Sequence, residues 1–110
     1  METNAAVARK YGLLLVGYEG GQSLVGFSGV ENDSAMTSLF KLANRNPRMA
    51  DLYSRYLTNW VNSGGDLLLH FNDVGPWTRY GSWGALEYLD QEPATAPKYQ
   101  ALRTFAEQHP

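Results

Sequence analysis

Two short apolar runs constrain this chain more than any other feature. Leu13 to Tyr18 (LLLVGY) and Leu67 to Phe71 (LLLHF) lack the regular polar alternation of a strand wetted on one face. Such runs read as strands covered on both sides, as in parallel sheets. Two helical patterns separate them, and a connection of that length implies parallel pairing through a right-handed crossover. The element order expected is helix, strand, helix, helix, strand, loop, helix. Parallel strands end at one common edge, where α/β proteins bind ligands. Glu19 leaves the end of the first run, and His70, Asn72 and Asp73 leave the end of the second.

The helices have their own signals. "NAAVARKYG" reads as the tail of a helix, with Arg9 and Lys10 in its last turn and Gly12 to close it. After a glycine-rich loop over 19–32, Asn32, Asp33 and Ser34 offer capping oxygens for a helix to about Ala43, with Met36, Leu39, Phe40 and Ala43 on its inner face. Asn46 and Pro47 then start the clearest helix, which Gly64 stops after Ser63. Its apolar stripe runs through Met49, Leu52, Tyr53, Tyr56, Leu57, Trp60 and Val61. Pro97 opens a last helix with Tyr99, Leu102, Phe105 and Ala106 inward.

Composition excludes several functions. Nine basic residues against eleven acidic ones give a net charge of −2, with no basic cluster to attract nucleic acid or an anionic membrane. Cysteine is absent and the two histidines, His70 and His109, lie far apart, so neither a disulfide framework nor a transition-metal site is expected. The longest apolar run is too short to span a bilayer, and no signal peptide is expected at the start. "GYEGG" is neither a dinucleotide fingerprint nor a P-loop, and no serine has a nucleophile-elbow setting. No cofactor is expected.

Three segments, "YGLLLVGYEGGQSL", "GGDLLLHFNDVG" and "YGSWGALEYLDQ", resemble the last two strand–helix units of clan A glycoside hydrolases. These are retaining (β/α)8 barrels that include many cellulases, and the likeness is nearest to bacterial cellulase-like proteins. It covers about residues 5 to 106. The resemblance implies a hydrolase of β-linked glucans with Glu19 at the nucleophile position, after the seventh strand, and with Trp77 and Trp83 as aromatic platforms for sugar. It implies an extracellular or periplasmic setting, and a carbohydrate as the ligand.

A retaining glycosidase sets its nucleophile about 5–5.5 Å from a second carboxyl. The Asn-Glu pair that supplies this group in the clan has no counterpart here; Glu87 and Asp73 are the candidates within the chain. Glu87 equally reads as a brace for its loop, and Asp73 as a turn residue. Gln22, His70, Asn72, Asp73, Trp77 and Trp83 are the candidate sugar contacts. His70 equally reads as a core histidine, the tryptophans as interface filling, and Glu19 as a solvated turn acid. A non-catalytic carbohydrate-binding module and a purely structural α/β unit are the alternatives.

The fold class expected is α/β, a partial (β/α)8-barrel-like unit with two parallel strands and three to four helices, forming one domain over residues 1–110. A complete barrel takes about 250 residues. Two strands alone leave edges and faces open, so the sheet is expected to be completed by strands from neighbouring copies in a homo-oligomer.

Overall fold

A computed structural model describes residues 1–109. It is an α/β fold with one two-stranded parallel sheet and four α-helices. Helix α1 (Glu2–Lys10) leads to strand β1 (Leu15–Gly20), then α2 (Ser34–Arg45), α3 (Arg48–Asn62), β2 (Gly65–His70) and α4 (Pro97–Gln108). Short 3-10 turns cover Val30–Asn32 and Pro93–Thr95.

Local chemistry explains the boundaries. Asp33 Oδ1 accepts from the backbone N–H groups of Ala35 and Met36 and caps α2. Asn46 Oδ1 accepts from Arg48 N–H at the start of α3, so Pro47 stands just outside the helix. Gly12 and Gly64 follow α1 and α3 at φ of 63° and 86°, the left-handed region that closes helices without a Cβ penalty. Both strands lie away from the expected spans. β1 runs two residues later than the apolar run, because Leu13 N–H is held back by the carbonyl of Ala8. Glu19 therefore lies inside the strand and does not follow it.

The strands pair Leu15 with Gly65, Val16 with Leu67, Gly17 with Leu68 and Gly20 with His70. The register slips between Gly17 and Gly20, so Tyr18 and Glu19 occupy a bulge. One face of the sheet packs on α3. There Gly17 admits the Trp60 ring and the Leu68 side chain, and a Cβ at Gly20 would come within 2.6 Å of the Tyr56 hydroxyl. The opposite face is bare: Leu14, Val16, Tyr18, Leu67, Leu69 and Phe71 are all exposed. Within the single chain, then, only the α3 side of the sheet is covered.

The core sits between α3 and α4, where Met49, Tyr53 and Ala101 cluster with Leu24, Ala50 and Leu102. Of the expected stripe on α3, Met49, Tyr53, Leu57 and Trp60 are buried, but Leu52 and Val61 face outward. On α2, Leu39 is exposed and Asn44 is buried in its stead. On α4, the buried side chains are Pro97, Lys98 and Ala101, while Ala106 faces outward. The Cα radius of gyration, 15.3 Å, exceeds the roughly 13 Å of a compact domain of this length.

Candidate functional site

The two strands do end at a common edge, and the polar residues beyond them divide into two groups. A cleft of about 270 Å³ is lined by Glu19, Gly20, Gly21, Gln22, Ser23, Phe71 and Trp83. Glu19 reaches it from the bulge of β1, a local distortion that re-aims a side chain. Phe71, the first residue after β2, meets Trp83 edge to face, with ring centroids 6.3 Å apart. Glu19 is exposed, and no hydrogen bond or ion pair occupies its carboxylate among the described residues.

Gln22 shapes the cleft instead of offering a free amide. Its Nε2 donates to the carbonyl of Ser82 at 2.8 Å, and its Oε1 accepts from Leu24 N–H at 2.6 Å. Its backbone N–H donates to the Tyr53 hydroxyl at 3.1 Å. Two of these bonds tether the glycine loop after β1 to α3 and to the aromatic loop, and the third braces the loop internally. Gly21 at φ 146° lies directly over the His70 ring, where a Cβ would sit 3.1 Å from Cε1.

The aromatic loop is held equally firmly. Trp83 Nε1 donates to the carbonyl of Tyr80 at 2.9 Å. The backbone N–H groups of Ala85 and Leu86 donate to the carbonyls of Asn72 and Asp73, at 2.9 and 3.0 Å, tying the loop to the end of β2. Beneath it lies Lys98, fully buried at the first turn of α4. Its Nζ donates to the same Ser82 carbonyl that Gln22 engages, and stands 4.4 Å from the centre of the Trp77 ring. Burial pushes the Lys98 amine down from 10.5 to about 7, with the field of Glu87 opposing the fall.

The remaining sequence candidates lie outside the cleft lining. Trp77 is buried, its Nε1 donating to the carbonyl of Gly84 at 3.1 Å and its ring engaged by Lys98 and Arg45. It is a packing residue, not an open platform. Both oxygens of Glu87 accept from Arg45, from Nε at 2.7 Å and Nη2 at 2.6 Å, so its carboxylate braces α2 against the loop. Asp73 Oδ1 accepts from the N–H of the next residue, Val74, so that oxygen is engaged locally. Neither acid shares the cleft with Glu19.

His70 faces the helices, edge-on to Tyr53 at 5.6 Å. Its two ring nitrogens and Asn72 Oδ1 are buried without a hydrogen-bond partner. Burial lowers the His70 pKa, with the Gly20 backbone and Asp73 opposing and Lys98 assisting.

Sequence reasoning missed Phe71 and Ser23 as lining residues, and Lys98 and Ser82 as the buried support beneath them. A lysine in the first turn of a helix gives no sign that it will be buried. Among the described residues no cluster of histidine and carboxylate side chains could hold a metal ion. Comparison with family models, with curated proteins and with solved structures finds no match for this chain.

Proposed function

We propose that the chain binds a carbohydrate of the β-linked glucan type in the cleft between Glu19 and Trp83. The observation that carries this reading is a free carboxylate lining the same small cleft as two aromatic rings, Phe71 and Trp83. Aromatic faces stack on the apolar faces of sugar rings, and a carboxylate accepts from their hydroxyls. The volume lies just under the roughly 300 Å³ of ordinary small-molecule sites, which suits a sugar unit at the end or middle of a longer glucan.

Binding is favoured over hydrolysis by the lack of a second acid in the cleft. Retaining chemistry needs a partner carboxyl about 5–5.5 Å from the nucleophile, and Glu87 is committed to Arg45. Turnover at Glu19 therefore requires a carboxyl from outside this chain's own cleft. The test is tryptophan fluorescence and calorimetry with cello-oligosaccharides, on the wild type and on Glu19→Gln and Trp83→Ala. The reading expects a saturable response that Trp83→Ala abolishes and Glu19→Gln weakens without eliminating. No response at millimolar sugar would leave the structural-unit alternative standing. Reducing-end release that vanishes in Glu19→Gln would establish the hydrolase reading.

A further inference from the structure

The molecule exposes more surface than its mass accounts for. A folded monomer of 12.2 kDa has an accessible area of roughly 6,100 Å² by the usual scaling, whereas this chain has 7442 Å². The excess is on the order of 1,400 Å², and its largest contiguous apolar share is on the open face of the sheet. Outward-facing Leu14, Val16, Tyr18, Leu67, Leu69 and Phe71 are between 45% and 77% exposed and form one apolar face across both strands. None of the six carries a charge. Together they present roughly 600–800 Å² of apolar surface, more than the 300–600 Å² of the largest patch on an ordinary monomer.

We infer that this face is an interface with a second copy of the chain. A standard stable interface buries about 800 Å² on each partner, and this patch supplies most of that area by itself. An isologous pairing needs one patch that complements itself, which an uncharged face of leucine, valine and aromatic side chains provides. Among the described residues both outer edges of the sheet also lack strand partners. The interface reaches the cleft. Phe71 belongs to both, so the second copy forms a wall beside Glu19 and Trp83 that one chain does not provide. This inference is independent of the sugar reading, since its test contains no ligand.

The experiment is sedimentation velocity of the 110-residue chain from one to several hundred micromolar, beside Leu69→Lys. The wild type is expected to sediment as two or more chains and Leu69→Lys as one, with unchanged helix content by circular dichroism. Should the lysine variant fail to fold, Leu67→Cys provides a second measurement, because the chain has no other cysteine. Mild oxidation at micromolar concentration should cross-link Leu67→Cys at least tenfold faster than Asp51→Cys on the exposed side of α3. A folded wild-type chain that remains a monomer throughout overturns the proposal, as do equal cross-linking rates. The monomer result would assign the face to a different partner or to a further segment of a longer chain.

Discussion

Gln22 and Lys98 converge on one acceptor, the backbone carbonyl of Ser82. One donor comes from the glycine loop after β1 and the other from the first turn of α4. Between them they fix the segment that carries Trp83, whose indole lines the cleft. Removing the flexible donor should be informative. Gln22→Ala is expected to lower stability by about 1–2 kcal/mol in urea unfolding, because Leu24 N–H also loses its acceptor. The same variant should weaken the response to cello-oligosaccharides by loosening Trp83, even though Gln22 itself has little free hydrogen-bonding capacity.

Lys98 gives a pH signature. Its folded-state pKa, near 7, lies below the ordinary 10.5 because the amine is buried. Below pH 7 the amine is protonated in both states, and the folded chain bears the full cost of enclosing an ammonium. Between pH 7 and 10.5 the unfolded chain binds the extra proton, so this group's contribution raises stability as pH increases. Tyr53, pushed up to about 12 chiefly by burial, opposes the trend only above about pH 10. Lys98→Met should therefore gain on the wild type by a few kcal/mol more at pH 6 than at pH 9.5. Urea unfolding of both proteins at the two pH values measures that difference.

The start of β2 tests the contact between sheet and helix. A Cβ at Gly65 would fall inside the Trp60 indole. Gly65→Ala is expected to cost about 3 kcal/mol or more, since backbone and ring would both have to move. A drop in melting temperature together with a shift in tryptophan emission would register it. Gly12, whose Cβ would meet nothing within 4 Å, is the control: substitution there is strained only by its φ of 63°.

The Arg45–Glu87 pair separates bracing from binding. Glu87→Gln should leave sugar binding unchanged, because the residue does not line the cleft. Arg45→Ala should cost about 1–2 kcal/mol, because it leaves the largely covered Glu87 carboxylate without its bidentate partner while the arginine end of the pair is open to water. If Glu87→Gln abolished binding, the carboxylate would have a direct role that this geometry does not give it.

How much of this was legible in the sequence depended on how local the cause was. The cap at Asp33, the Asn46 side-chain bond to Arg48 N–H and the glycines after α1 and α3 act within a few residues, and the chain spells them out. Parallel pairing followed from the length of the crossover. The bulge at Tyr18 and Glu19 was not readable, because it arises from register against β2. The same holds for Trp77 and Trp83, two indoles in one glycine-bearing loop. One lies over a lysine and is buried, the other borders the cleft, and only the approach of α4 decides between them. Periodicity marked both faces of the sheet as apolar, but it does not say which of them the chain itself covers.

The two glycines on the inner side of β1 let the Trp60 ring come close to the backbone at Gly17 and the Tyr56 hydroxyl come close at Gly20. The acid at position 19 lies between those two points of support. Its height above the rim is thus governed from behind, by the thickness of an indole and a phenol on the neighbouring helix. A substitution at Trp60 or Tyr56, remote from any sugar, would tilt the carboxylate as surely as a change beside it.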